Sequence, residues 1–454
     1  MTVALLAALV LPSPLPNEPQ NVADRLLARG LTDLGAYEML YELCTTIGGR
    51  LSGSPEAARA VIWTALQMDE IGLSNIRQIR CMVPHWVRGA TERAAIIVSD
   101  DRVHGLSICA LGGSVGTPVG GIEAEVVEVK SLEEAENLGE RGKGKIVFFN
   151  RGFDPTLPTT FAAYGGTVDQ RSGGASAAAK SGAVAVLVRS MTLAKDDEPH
   201  TGAMRYSEGR RIPAAALGIQ SADRLSAALK RGPVTVRLEL SCRSLPDEPS
   251  ANVLGEIVGS EMPNEVIVMG GHLDSWDLGQ GAHDDGAGVT QALEALRLLK
   301  ELGLRPKRTI RVVAFMNEEN GLRGATAYAE MAANADEVHY AAIESDAGGF
   351  MPRAFSVTES KLERVQEWAP LFQVFGIERF TPGGGGADIN PLGPLGTTLF
   401  GLRPDNQRYF DYHHSRNDTI DKVNARELEM GAMAMALLAW LISEEGLEDQ
   451  TSTP

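Results

Sequence analysis

Downstream of Ser250 the chain alternates short apolar runs with helix-spaced stretches, and this alternation restricts the fold more than any other feature. Val266-Ile267-Val268-Met269 reads as a buried strand. Val289, Ala292, Leu293, Leu296 and Leu299 recur at the spacings of one helix face. Thr309 to Phe315 is a second strand and Val338 to Ile343 a third. Strand and helix in alternation imply an α/β fold: an open, mostly parallel (mixed) sheet flanked by helices.

Upstream the texture differs. A helical stretch runs from Asn21 to Cys44, and Gly48 to Ser54 is a turn-rich break. Ser54 before Pro55 is a helix start, and Gly72 closes a helix over Pro55 to Ile71. Its apolar face is expected to hold Ala58, Val61, Ile62, Ala65 and Met68. Between Gly120 and Cys242 short strands are expected at Ile122–Val129, Lys145–Asn150, Val184–Val188, Ala214–Leu217 and Val234–Leu240. This block carries no cluster of reactive side chains and reads as a separate mixed α/β module set into the chain.

A chain of 454 residues suits two or three domains. With 42 basic and 59 acidic residues the formal charge is −17, which argues against nucleic acid or an anionic membrane as partner. Met1 to Val10 is apolar but too short to span a bilayer; it reads as a secretory signal or a disordered tail. The four cysteines form no C-x-x-C pair, so a thiolate zinc site is not expected, and they read as free and mostly buried. Gly383 to Gly386 lacks the Lys-Ser/Thr of a phosphate loop. No Gly-x-Ser-x-Gly elbow occurs. His85, His104, His200 and His339 stand in no motif and read as structural or surface residues.

The chemistry lies at the strand ends. The first strand runs into Gly270-Gly271-His272-Leu273-Asp274, with Asp284-Asp285-Gly286 opening the next helix. The second runs into Glu318-Glu319 and the third into Glu344-Ser345-Asp346, and His413-His414-Ser415 follows late in the chain. Ligands collect at the carboxyl ends of strands in open α/β sheets. His272, Asp284, Glu318, Glu319 and Asp346 are thereby expected on one rim. Carboxylates at such density repel unless cations neutralise them. Histidine with carboxylates and no thiolate suits Zn²⁺ in an open site. The ligand count fits two ions about 3.5–4 Å apart, sharing one carboxylate and acidifying a water between them. Metal-assisted hydrolysis follows, with a further carboxylate moving the proton.

Residues 250–440 resemble the catalytic domain of metallopeptidase family 28, the co-catalytic zinc aminopeptidases and glutamate carboxypeptidases. Ile47 to Trp63 resembles the family's N-terminal segment and residues 120–242 its inserted protease-associated domain. The resemblance implies His272, Asp284, Glu319, Asp346 and His414 as ligands of two Zn²⁺ per chain, with Asp284 bridging. It implies Glu318 as general base and Asp274 as the carboxylate that orients His272. His413 is the rival of His414. Asp285 and His283 read as local structure, Trp276 and Tyr412 as pocket wall or packing, and Gly383 to Asp388 as a loop bordering the pocket. The implied division is 1–20 signal remnant or tail, 21–119 N-terminal part of the peptidase domain, 120–245 insert, 246–445 catalytic domain and 446–454 disordered tail. The implied function is hydrolysis of dipeptides or short peptides, in a secreted or periplasmic protein (otherwise cytoplasmic) that forms a homodimer. The alternatives are an aminopeptidase on longer peptides and a single-zinc acyltransferase of the glutaminyl-cyclase kind.

Overall fold

A computed structural model describes residues 18–99 and 102–448. The apolar stretch Met1 to Val10 and residues 449–454 lie outside the described residues. Sixteen strands among the described residues make two mixed sheets of eight. β1 (Ser74–Val87) begins the main sheet. β2 (Glu92–Ser99), β3 (Arg102–Leu106), β4 (Ile108–Ala110), β5 (Ile122–Val129), β6 (Ile146–Phe149), β7 (Ala185–Arg189), β8 (Ala214–Leu217) and β9 (Thr235–Leu240) make the second. β10 (Arg243–Ile257), β11 (Met262–His272), β12 (Arg308–Phe315), β13 (Val338–Glu344), β14 (Pro352–Val357), β15 (Arg379–Pro382) and β16 (Thr398–Pro404) complete the first. The second sheet is thus a topological insert between β1 and β10.

The main sheet has the order β1-β10-β12-β11-β13-β16-β14-β15. Its centre, β12-β11-β13-β16, is parallel, while β1, β10 and β14 pair antiparallel toward the edges. The central strands read as continuous apolar runs because helices cover both faces. The helix Ala287–Glu301 is buried on nearly every side, and the helix Ala425–Glu445 is buried without a break from Leu428 to Ser443. A helix apolar all round belongs inside, and these two pack against one another in the core.

Several expectations are corrected. The first helical stretch is two helices, Pro19–Asp33 and Gly35–Glu42, broken at Leu34, whose φ is 56°. A Cβ on Gly30 or Gly35 would lie 2.6 Å from Met433 Sδ or 2.4 Å from Glu294 Oε2, so this corner needs glycine to approach the core. The helix Pro55–Ile71 has the expected ends, with Ser54 Oγ accepting from Ala57 N–H at 3.0 Å. Its buried face is rotated, however. Ala57, Ala60, Thr64 and Met68 point inward, while Ala58 and Ile62 are exposed. The second sheet starts at Glu92 rather than near 120, because β2 pairs with β9. The chain does not fray at 446: Leu447 is buried and its N–H donates to the Tyr340 hydroxyl. All four cysteines are free, with Cys44, Cys109 and Cys242 buried.

Candidate metal centre

Three neighbouring parallel strands end at one rim. β11 delivers His272 as its last residue. β12 ends at Phe315, and Asn317, at φ 73°, turns the chain so that Glu318 and Glu319 follow the strand directly. Asp346 lies two residues past β13. Asp284 sits in a kinked turn before the helix Ala287–Glu301, next to a cis Asp284–Asp285 peptide. His414, at φ 62°, follows the short helix Tyr409–Tyr412.

The five expected ligands converge. His272 Nε2 lies 3.2 Å from Asp284 Oδ1 and 3.7 Å from Asp346 Oδ1. His414 Nε2 lies 3.3 Å from Asp284 Oδ2 and 3.0 Å from Glu319 Oε2. Two three-residue groups can each hold an ion: His272, Asp284 and Asp346 in one, and Asp284, His413 and His414 in the other. Asp284 belongs to both, one oxygen facing each histidine, and its Oδ2 is buried without a hydrogen bond. Such an atom calls for a cation. His413 Nε2 is farther from Asp284, at 3.8 Å, and its ring stacks on His414 with centroids 3.4 Å apart.

Burial and crowding set the protonation. Burial pushes the Glu318 carboxyl up to about 8, and the Asp346, Glu319 and Asp284 carboxylates add to this against the pull of His272. Burial and Asp284 push Glu319 up to about 7. Burial alone would lower His414, but Glu319 and Asp284 reverse this and raise it to about 10. Burial works against the Asp284 carboxylate too; the His272 and His414 imidazoles beside it outweigh this and hold that group well below its usual range. Metal-free, the cluster holds protons where cations would sit.

A shell of buried groups fixes these side chains. His272 Nδ1 lies 2.9 Å from the Asp274 backbone carbonyl and 4.0 Å from its carboxylate. The carboxylate instead accepts from the N–H groups of Asn317 and Glu318, at 2.6 and 3.1 Å, tying β11's loop to the Glu318–Glu319 turn. Asp285 accepts from His272 N–H and Gly288 N–H, so it holds the helix start. Asp418 accepts from the N–H groups of His283 and Asp284 at 2.7 and 3.2 Å. Arg50, fully buried, donates to the carbonyls of Gly48, Leu273, Gln280 and Gly281, tying down the loop between His272 and Asp284. From the second sheet unit, Thr201 N–H donates to His414 O at 2.9 Å and His200 Nδ1 lies 2.7 Å from His413 O.

A cavity of about 460 Å³ opens on this cluster. Asp284, Glu318, Glu319, Asp346, His413 and His414 line it, faced by Phe161, Tyr164, Arg171 and Met204 of the insert. Trp276 is buried beside His414, with ring centroids 5.7 Å apart, and its backbone N–H donates to Glu319 Oε1. Tyr412 and Phe350 stack on His283, which is a packing residue. The Gly383–Asp388 loop does not border the cavity. It packs under Glu344, whose carboxylate accepts from Asp388 N–H and Ile389 N–H. Sequence reasoning missed Arg50, Asp418, His200, Thr201 and Arg171 as parts of the site. The Gly-Gly-Arg turn was the one visible signal for Arg50, and the three insert residues gave none.

Residues 252–439 match peptidase family M28. Carboxypeptidase Q of Mus musculus is 37% identical to the chain over 413 residues, which cover 90% of the chain and 86% of that protein. The solved structure of a peptidase M28 precursor from Shewanella amazonensis superposes with a TM-score of 0.90 at 35% identity, covering 96% of this chain and 99% of that one. An aminopeptidase from Aneurinibacillus sp. strain AM-1 shares the fold, with a TM-score of 0.63 at 21% identity over 94% of this chain and 96% of that one. Fold and ligand cluster together define a zinc metallopeptidase. The chain belongs to peptidase family M28. Among the described residues no helix is long and apolar enough to cross a membrane.

Proposed function

We propose that this enzyme is a dizinc exopeptidase acting on dipeptides and short peptides, with Glu318 as its general base. The observation that carries the reading is Asp284: one buried carboxylate shared by two ligand groups, its Oδ2 unpartnered. His272, Asp284 and Asp346 would hold one zinc, and Asp284, Glu319 and His414 the other. Of the two adjacent histidines, His414 is assigned as ligand because its Nε2 is closer to Asp284 and contacts Glu319 as well. Bound zinc would supply Lewis-acid polarisation of the scissile carbonyl and a water acidic near neutrality.

The chain's own residues do the rest. Glu318 lines the cavity beside Asp346, where its carboxylate would take a proton from the attacking water and deliver it to the leaving nitrogen. Asp274 acts on Glu318 through the backbone, by anchoring its N–H. The insert roofs the cavity and restricts it to short chains, which supports its reading as a protease-associated module. A secreted location rests on the apolar Met1–Val10 run and a homodimer on the family resemblance.

The test is a panel of free dipeptides, longer peptides and end-blocked peptides, with and without chelator and added Zn²⁺. Chelation should abolish cleavage and Zn²⁺ restore it. Glu318→Gln should keep two zinc ions and lose about 10²–10⁴-fold in kcat. Near-parental activity of that variant would remove Glu318 from its role. Processive trimming of long peptides from the amino end would shift the reading to an aminopeptidase, and one zinc per chain would favour the acyltransferase.

A further inference from the structure

The β1–β10 ladder carries a bulge where it reaches the cavity. Val83 pairs with Glu248 and His85 with Leu245, so Pro246 and Asp247 together lie opposite Pro84 alone. A bulge turns a side chain out of the strand's alternation, and bulges recur beside active sites for that reason. Here Pro84, Leu245 and Asp247 all line the cavity of the metal centre. The ribbon is joined to the Glu318–Leu322 turn by its neighbours in the chain. Ser52 Oγ donates to Asn320 Oδ1 at 2.8 Å, and a Cβ on Gly53 would lie 2.9 Å from Pro84 O. Asp247 is exposed and has no hydrogen bond or ion pair among the described residues. Its neighbour Glu248 faces His85 instead, 3.7 Å from Nδ1.

Five carboxylates line the cavity: Asp247, Asp284, Glu318, Glu319 and Asp346. Four of them are the proposed zinc ligands and base, and two dications offset their four charges. Asp247 is left as the one lining carboxylate free to hold a cation of the substrate. The two arginines that line the cavity both come from the insert, so the ribbon side is the negative side. The wall leading to Asp247 is apolar, with Pro84, Leu245 and Leu322 half-buried in it. A long side chain with an aliphatic stem and a charged head fits an apolar wall that ends in an exposed carboxylate. An α-ammonium has no stem to lay against that wall. We propose that Asp247 selects substrates carrying a lysine or arginine side chain on one of the two residues that flank the cleaved bond. This rests on the exopeptidase reading and adds to it the side chain that is preferred.

The experiment measures kcat/KM on dipeptides of alanine with lysine, with its uncharged near-isostere norleucine, or with glutamate, each placed first or second. It uses the zinc-loaded parent, Asp247→Asn, Asp247→Lys and Glu248→Gln, with zinc content measured for each; Glu248 is the exposed carboxylate next in the strand and does not line the cavity. At one of the two positions the parent should favour lysine over norleucine by roughly 3- to 10-fold, between an exposed ion pair and a charged hydrogen bond. The preference should shrink in about 0.5 M salt, which screens an exposed pair. Asp247→Asn should bring the ratio near one and cleave the norleucine dipeptide as the parent does. Asp247→Lys should favour glutamate over norleucine at the same position, and Glu248→Gln should keep the parent's ratio. A parent without a lysine preference at either position, an equal loss on lysine and norleucine in Asp247→Asn, loss of zinc in that variant, or loss of the preference in Glu248→Gln would each overturn the assignment. A zinc-loaded parent that cleaves no dipeptide of the set would sink the peptidase reading itself.

Discussion

Arg50→Met removes a charge that carries no chemistry yet governs the metal centre. The guanidinium is fully buried and donates to the carbonyls of residues 48, 273, 280 and 281. Burial pulls its pKa below the ordinary value, while Cys44 and the Asp418, Asp274 and Asp285 carboxylates work the other way. Methionine matches the stem but leaves four carbonyls unanswered and three acidic neighbours without a cation. Breaking one side of such a buried charge system costs about 3–5 kcal/mol. For 454 residues unfolding together, the unfolding entropy is about 1 kcal/mol per kelvin, so the melting midpoint should fall by about 3–5 °C. The loop released is the one between His272 and Asp284, so zinc affinity should fall as well. Scanning calorimetry of metal-free protein and zinc titration of the same preparation measure the two effects. A midpoint within 1 °C of the parent with unchanged zinc affinity would refute the argument that Arg50 clamps this loop.

Zinc binding at pH 7 should displace protons, because the metal-free cluster raises His414 to about 10 and His272 well above its ordinary value. Titration calorimetry in two buffers of different ionisation heat should then give different apparent enthalpies, and identical values would count against the proton-holding cluster. Glu429, buried against Glu294, is raised to about 9 by burial first and by that neighbour second. The folded state therefore binds this proton more tightly than the unfolded chain, whose value is about 4.5. The contribution is full below that value and is lost as pH rises through about 9. Glu429→Gln, which mimics the protonated form, should flatten the decline in thermal stability between pH 6 and 9, and an unchanged slope would exclude the pair as its source. A Cβ on Gly112 would lie 1.8 Å from the Trp276 ring, so Gly112→Ala should displace that ring, shift its fluorescence and lower activity by disturbing the backbone at Trp276, whose N–H donates to Glu319; unaltered emission would contradict this.

The sheet was legible wherever burial on both faces makes a strand apolar throughout, as in β11, β12 and β13. β1 was not, because twelve of its fourteen residues keep part of their surface in solvent and polar residues such as Arg77, Gln78 and Arg80 interrupt it. The site was legible as residue types at strand ends, since chemistry demands histidine and carboxylate regardless of context. Its supports were less so. Asp274 was expected to reach His272 with its carboxylate and instead offers its backbone carbonyl at 2.9 Å, while its Oδ1 accepts from the Asn317 and Glu318 amides. Arg171 and Thr201 sit about 240 and 210 residues before His414 and belong to a block with no reactive cluster, so only the folded contact reveals them.

The hydrogen bonds from His200 and Thr201 to the backbone at His413 and His414 have a consequence for assembly order. The backbone that carries the proposed ligand His414 is held from outside its own sheet, by the layer that closes over it. A chain whose roof is misfolded would keep His272, Asp284, Glu319 and Asp346 in place yet lose the support of His414 in the second seat. Full occupancy of both proposed zinc seats would thereby report that the two layers of the molecule have come together.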